Sequence, residues 1–453
     1  MEDRQLKIFF SGIGGSGMSA IANFLFDKGH IIVGSDRTFD EKPDHPLCKS
    51  FKKRGITIVP QDGNGIDSSF DFAVFSTAIE PDQLEVLKAK SLGIPVKTRP
   101  EYLIEIALSF KTIAVAGTSG KSTTSGMLAF LMQRLGLRPN FIGGGRVKQF
   151  RTETNPGNSL RGESDYMVIE ACESDGTIVN FRPKDLIILN LDLDHHTVER
   201  TAEMFEALLA NTSGRVIVNA DDENLKKINL KRAITFSIDK LSNYKATDII
   251  YRPSGTDFRF NGSDFSLSIP GKFNLYNALS CITFLSEMEI PPEEISGMLP
   301  EFKGLDRRFD IYLDDGKRLV LDDYAHNPHK ISYLMEAVRS IRKNICYIFQ
   351  PHGFGPTRMM KKGYIEVFTK NLSDSDHLIL LPIFYAGGTV RKDISSRDLA
   401  AGIVASGKSV EVVDDRRAVL ERLDQWNSYI IFGARDETLA DFARDIAVRL
   451  KRI

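Results

Sequence analysis

Residues 113–124, IAVAGTSGKSTT, constrain the chain more than any other stretch. An apolar, β-branched run passes through Gly117 and Gly120 straight into Lys121, Ser122 and a helix-like pattern, so strand, tight turn and helix must follow without a gap. Glycines at such a turn let backbone N–H groups crowd around phosphate oxygens at the positive end of the helix. A lysine there reaches the β- and γ-phosphates, and a hydroxyl joins a magnesium shell. Gly117, Thr118, Ser119, Gly120, Lys121, Ser122 and Thr123 are therefore candidate nucleotide-triphosphate-binding residues, and Lys121 is also a candidate catalytic residue. A strict Walker pattern has glycine where Val115 stands, so this loop is a variant of that form.

At 453 residues the chain has room for roughly three domains of about 150 residues, and 42% hydrophobic content is ample for several cores. Its 59 basic and 60 acidic residues nearly cancel, which excludes a global field that would recruit nucleic acid or an anionic membrane. The four cysteines, Cys48, Cys172, Cys281 and Cys346, stand far apart, so neither a zinc cluster nor a disulfide framework is expected, and a reducing cytoplasm fits. MEDRQLK lacks the basic and apolar regions of an export signal, and no apolar run reaches the roughly 18 residues of a membrane span.

The chain reads as an α/β protein. KIFFSG, a helix-like SAIANFLFDKG and IIVGSD make a βαβ opening, with FDFAVFSTAI and IPVK as further strands. A break falls near Lys111. Beyond it, YMVIEA, DLIILNLD and RVIVNADD are apolar runs ending in acids or amides, as buried parallel strands do at a ligand-facing edge. From EFKGLDRRFD onward, strands such as RLVLDD, NICYIFQ, HLILLPIF and SYIIFG alternate with helical stretches.

Gly12, Gly14, Gly15 and Gly17 follow the first strand, and Asp36 ends the next, which is a dinucleotide fingerprint. Its physics is a diphosphate held at a helix N-terminus, so NAD and a UDP-sugar both satisfy it. Glu170, Cys172, Glu173 and Asp175 follow one strand, and Asp192, Asp194, His195 and His196 follow another. Hard oxygens beside a P-loop suit Mg²⁺, which takes only one or two protein carboxylates; Glu170 and His195, with Ser122, are the candidate ligands. Asn274 and Asn277 in GKFNLYNA either cap a helix or meet a nucleobase. Arg307 and Arg308 either reach a phosphate or form salt bridges. Asp322, Asp323, Tyr324, His326, His352 and Arg358 sit around strand ends where active-site groups are presented.

In order, GIGGSGMS, GSD, STAI, GTSGKSTT, IEACESD, LDLDHH, GKFNLYNA, GLDRRFD, DDYAHNP and QPH resemble the motifs of the Mur ligase family across nearly the whole chain. The resemblance implies three domains: a Rossmann-like UDP-sugar-binding domain over 1–108, a P-loop ATPase-like domain over 109–302, and a Rossmann-like domain over 303–453 that receives the amino acid or peptide. It implies that Gly12, Gly14, Gly15, Gly17, Ser35, Asp36, Ser76 and Thr77 hold UDP-N-acetylmuramate rather than NAD. Mg-ATP would meet Lys121, Ser122, Glu170 and His195, with Asn274 and Asn277 near adenine and Arg307 and Asp323 brought onto phosphate and ribose. His326 would be catalytic. The implied reaction is ATP-dependent amide formation between the UDP-N-acetylmuramate carboxylate and L-alanine through an acyl phosphate, in peptidoglycan precursor synthesis.

The departures from the family pattern bear on the amine. Ser119 stands where a histidine is usual, Ser122 where threonine is usual, and Phe273 where a histidine is expected beside adenine. Gly353 and Pro356 occupy positions where arginines receive the amino acid's carboxylate, with Arg358 a nearby substitute, and GARDETL replaces a glycine-rich ending. A murein tripeptide is thus the alternative amine within the same chemistry. The alternatives outside it are an NAD-dependent oxidoreductase and a catalytically silent nucleotide-binding relative.

Overall fold

The computed structural model describes residues 4–385, 391–423 and 425–452. The chain forms two compact units, Met1–Gly304 and Leu305–Ile453.

The first unit contains two sheets. In one, β1 (Lys7–Ser11), β2 (Ile31–Ser35), β3 (Thr57–Ile58), β4 (Phe72–Phe75) and β5 (Val96–Thr98) lie in the order β3-β2-β1-β4-β5, all parallel. Alternation along β1 covers both faces: Ile8 and Phe10 enter one core with the helix Ser16–Asp27, while Phe9 enters another with Phe70 and Ala89.

The second sheet has ten strands: β6 (Lys111–Ala116), β7 (Asn140–Ile142), β8 (Ser159–Leu160), β9 (Tyr166–Glu170), β10 (Asp185–Ile188), β11 (Val216–Asn219), β12 (Ile234–Ser237), β13 (Tyr244–Arg252), β14 (Gly255–Phe260) and β15 (Ser263–Leu267). The P-loop strand β6 is central, parallel to β10 on one side and β9 on the other. YMVIE, DLII and VIVN, read from the sequence as buried strands, are β9, β10 and β11. The antiparallel β13–β15 carry no comparable apolar run; β15 buries only alternate residues, which leaves a weaker signal.

The second unit holds β16 (Asp310–Asp314), β17 (Leu319–Asp323), β18 (Ile345–Gln350), β19 (His377–Leu380), β20 (Val410–Val412) and β21 (Ser428–Gly433), ordered β16-β17-β21-β18-β19-β20. Only β16 runs antiparallel. The helix Thr438–Leu450 packs on one face with Val320, Ile348 and Ile431. On the other, Phe349 and Phe432 meet Phe368 of the helix Phe354–Asn371.

A buried arginine ties this unit together. Arg307 is 5% exposed, with its backbone in the left-handed region at φ 56°. Its Nε donates to Asp322 Oδ2 at 2.9 Å, and its Nη1 donates to the carbonyls of Ala434 at 2.9 Å and Asp436 at 3.0 Å. Of the two roles the sequence leaves open for Arg307, these contacts are the salt-bridging one, a clamp beneath the loop after β21. Burial disfavours the charged forms of both partners, and their mutual attraction holds the Arg307 pKa above its ordinary value. Arg307→Ala should destabilise this unit by about 3–5 kcal/mol, because it strands the fully buried Asp322 carboxylate without a counter-charge. Denaturant unfolding followed through Trp426, the chain's single tryptophan, reads this directly. A loss below about 1 kcal/mol would contradict the clamp.

Candidate active site

At the carboxyl edge of the first sheet, Gly12 adopts φ 78°, and a Cβ on it would lie 3.0 Å from Ser76 Cβ, so the glycine loop and Ser76 adjoin. Gly14 N–H donates to Asp36 Oδ2 at 2.9 Å, and Asp36 Oδ1 accepts from Thr38 N–H at 2.9 Å. A Cβ on Gly14 would strike that carboxylate at 2.7 Å, and one on Gly17 would press on Arg99 at 3.0 Å. Gly15 begins the helix Ser16–Asp27 with no side-chain cap, leaving first-turn amides free for an anion. Thr77 is exposed.

Ser35 ends β2. It is fully buried, and its hydroxyl donates to Glu85 Oε2 at 2.8 Å; the Ser11 hydroxyl donates to the same oxygen. Burial raises the Glu85 pKa above its ordinary value, and the serine hydrogen bonds oppose that shift. Glu85 was missed in the sequence because LEVLKAKS reads as an ordinary surface helix.

The P-loop is shaped as its glycines require. Gly117 and Gly120 have φ of 140° and 85°, and a Cβ on Gly120 would meet Asn277 Oδ1 at 2.5 Å. Asn190 pins the turn: its Oδ1 accepts from Ser119 N–H at 2.8 Å and Thr118 Oγ1 at 2.9 Å, and its Nδ2 donates to Ser119 O. The helix Lys121–Arg134 starts from Gly120 without a side-chain cap and with no acid in its first turn, an arrangement that suits phosphate. Thr123 is buried in that first turn.

Lys121 Nζ donates to the Gly117 carbonyl and to Glu173 Oε2 at 2.9 Å. Burial alone would lower the lysine's pKa; Glu173, helped by Cys172 and Glu170, outweighs that and raises it. Glu173 is 1% exposed, and its backbone carbonyl pairs with His196 Nε2 at 3.2 Å. Ser122 Oγ donates to Glu170 Oε2 at 2.9 Å, so a hydroxyl and a carboxylate stand side by side. These hard oxygens fit Mg²⁺ and the uncapped turn fits a triphosphate. His195 is exposed one residue before His196, and no cluster of three His, Cys, Asp or Glu suited to a metal occurs among the described residues.

Asn274 and Asn277 are both buried and neither caps the helix Lys272–Glu287, whose N-cap is Gly271. Asn274 Nδ2 donates to Pro270 O at 2.7 Å.

In the second unit, Asp323 accepts from Phe309 N–H at 2.7 Å and Ala325 N–H at 2.8 Å, so its carboxylate shapes the start of the DDYAHNP turn. His326 Nδ1 lies 2.9 Å from the Tyr324 carbonyl, which only accepts; Nδ1 therefore carries the proton and Nε2 the lone pair. Burial lowers the His326 pKa to about 3, aided by the charges of Lys330, Arg308 and Arg435. Burial likewise lowers His352 to about 4, with Arg435 contributing. Gly353 has φ 72° and ψ 142°, a conformation that side-chain-bearing residues rarely adopt. Arg358 is occupied, donating to Asp393 and to the Arg391 carbonyl.

Three family models cover the chain in order: the Mur ligase family catalytic domain at residues 7–111, the Mur ligase middle domain at 115–285, and the Mur ligase glutamate ligase domain at 307–435. The chain is 33% identical over 437 residues to the UDP-N-acetylmuramate--L-alanine ligase of Caldanaerobacter subterraneus, covering 92% of each. It is 32% identical to the enzyme of that name from Aquifex aeolicus, covering 94% of each. Among solved structures, the UDP-N-acetylmuramate-alanine ligase of Thermotoga maritima matches with a TM-score of 0.81 at 25% identity, over 99% of this chain and 100% of that one. A murein peptide ligase from Psychrobacter arcticus shares the fold, with a TM-score of 0.72 at 22% identity over 99% of both chains. The chain belongs to the Mur ligase family.

Proposed function

We propose that the protein joins the carboxylate of UDP-N-acetylmuramate to the amine of L-alanine, using ATP, in peptidoglycan precursor synthesis. The observation that carries this reading is the P-loop with Lys121 held between Glu173 and the loop carbonyl, in a chain similar from end to end to ligases of that name. A carboxylate is a poor acyl donor until phosphorylated. Its oxygen attacks the γ-phosphorus, ADP departs, and the amine then attacks the acyl carbon and expels phosphate. Both attacks bring negative charge toward an anion or build it up, so preorganised cations and amides lower the barriers.

Within this reading the domains divide at 1–108, 109–302 and 303–453. Gly12, Gly14, Gly15, Gly17, Asp36, Ser76 and Thr77 serve the UDP-sugar, with Ser35 acting from below through Glu85. Gly117, Thr118, Ser119, Gly120, Lys121, Ser122 and Thr123 cradle the triphosphate, and Asn277 supports Gly120. Ser122, Glu170 and His195 would hold Mg²⁺, which supplies charge neutralisation at the phosphates when bound. His326, neutral with a free Nε2 lone pair, takes a hydrogen bond from the incoming ammonium and orients the amine for attack. ATP and a UDP-sugar are cytoplasmic metabolites, and among the described residues no helix is long and apolar enough to cross a membrane.

The direct test is phosphate release with Mg-ATP and UDP-N-acetylmuramate, comparing L-alanine with L-Ala-γ-D-Glu-meso-diaminopimelate and weighing the product. An alanyl product is expected; a product with the tripeptide alone moves the assignment to peptide recycling, and none with either refutes the ligase.

Lys121→Ala should lower turnover about 100-fold or more, the scale of losing a group worth about 3 kcal/mol to a phosphoryl-transfer transition state. It should also cost about 1–3 kcal/mol of stability, because Glu173 is left buried without its cation. Adding Glu173→Gln should recover stability but not turnover. Equal recovery of both would assign Lys121 a purely structural part.

The two neutral histidines set a pH dependence. Their folded pKa values lie below the unfolded value of about 6.5, so as pH falls the unfolded chain binds protons first and stability drops. The loss runs from about pH 6.5 down toward pH 4 at up to about 1.4 kcal/mol per pH unit for each histidine, and is absent above pH 7. Denaturant midpoints at pH 7, 6 and 5 should show a shallower slope for His326→Gln than for the parent; identical slopes would contradict a neutral buried His326.

A further inference from the structure

Three neighbouring strands of the second unit deliver one polar side chain each to the same sheet edge. β17 leads into His326, β21 into Arg435 and β18 into His352, and β21 lies between the other two. The helix after β21 covers one face of the sheet, while the helix after β18 covers the other. Adjacent strands that feed opposite faces leave a crevice beyond their carboxyl ends, the place where open α/β sheets hold ligands.

Arg435 is exposed and, among the described residues, makes no hydrogen bond or ion pair. Its charge nevertheless reaches both histidines. The other arginines near this edge are engaged: Arg307 in its clamp, Arg308 over the Tyr324 ring at 4.9 Å, and Arg358 with Asp393. The backbone beneath Arg435 is fixed even though its side chain faces solvent. Arg307 holds the carbonyls on either side of it, Ala434 N–H donates to Gln350 O at 2.9 Å, and the Asp436 carboxylate accepts from Thr438 N–H at 3.0 Å and from Arg416. A guanidinium on such a base needs little further ordering to bind.

The flanking groups indicate what it binds. His352 Nδ1 is buried without a hydrogen-bond partner, and His326 Nε2 offers a lone pair. A planar guanidinium pairs bidentately with a carboxylate, and a nearby neutral imidazole accepts from an ammonium. One fork and one acceptor together match a zwitterionic α-amino acid, whose carboxylate takes the fork and whose ammonium donates to the neutral imidazole.

We propose that Arg435 pairs with the carboxylate of the incoming α-amino acid, at the edge where Gly353 and Pro356 provide no cation. The assignment rests on the ligase reading above and names the group that selects its amine substrate. The carboxylate then sits on the carbon that bears the attacking amine, which favours a free amino acid over a peptide.

The test uses the purified full chain with Mg-ATP and UDP-N-acetylmuramate, and either L-alanine or hydroxylamine as the amine. Hydroxylamine traps the acyl phosphate as a hydroxamate and carries no carboxylate. Arg435→Ala should raise KM for L-alanine roughly 10- to 100-fold, the scale of a charge-assisted hydrogen bond, while hydroxylamine is still acylated. Arg435→Lys should recover part of the loss, since it keeps the charge without the fork. An unchanged KM for L-alanine, with hydroxamate still formed, overturns the role of Arg435 and leaves the ligase standing. Loss of hydroxamate in both variants also overturns it, because Arg435 would then act before the amine arrives. Turnover by the parent chain with the tripeptide but not with L-alanine overturns it as well. Absence of hydroxamate from the parent chain overturns the ligase reading and this assignment with it.

Discussion

A loop that leaves the carboxyl end of a parallel strand carries backbone donors and acceptors that the sheet no longer satisfies, and each one buried unpaired costs about 1–3 kcal/mol. In each described sheet a side chain from near the end of another strand meets that need. Asp36, just past β2, takes the N–H of Gly14 in the loop after β1. Asn190, just past β10, accepts from Ser119 N–H and donates to Ser119 O in the loop after β6. Arg307, which precedes β16, takes the carbonyls of Ala434 and Asp436 after β21. An acid, an amide and a guanidinium perform one task, chosen by whether the loop presents donors, both kinds of group or acceptors. With the loop's inner face satisfied, its remaining amides and side chains are held outward, where a ligand can meet them.

This arrangement decides what the sequence discloses. Gly117 and Gly120 are legible because their backbone angles exclude other residues and because Lys121 and Ser122 follow at fixed spacing on one helix turn. The strands β6, β9, β10 and β11 are legible because burial on both faces demands continuous apolar runs. The pinning groups are not. Arg307 finds its carbonyls 127 and 129 residues away, and Glu85 finds its serines 74 and 50 residues away. No local spacing encodes such pairs; they exist only once strand order brings distant ends together. Asn274 and Asn277 illustrate the converse: their place at a helix start leaves capping and a nucleobase contact both open, and the helix begins at Gly271 with no side-chain cap.

Charge is managed by the same logic around the P-loop. An uncapped helix start and a buried ammonium concentrate positive potential that water cannot fully screen. Glu173 supplies the opposing charge, while Glu170 is turned toward Ser122 and takes the Gly144 N–H. The two acids are three residues apart and do different work: one neutralises the lysine, and the other lines a hard-oxygen site.

Backbone geometry also explains why a cation at the second unit's edge stands on β21's loop rather than after β18. Gly353 begins the helix Phe354–Asn371 at φ 72° and ψ 142°, where a longer side chain would be strained, and its N–H is committed to Phe384 O at 2.8 Å. Arg435 bears no such restriction, because its loop is shaped by the Arg307 clamp instead of by a positive φ of its own. Parallel neighbours discharge their following loops at one edge, so a charged group can come from either strand and still face the same crevice. The position of a binding residue along the chain can therefore change while the chemistry presented to the ligand does not.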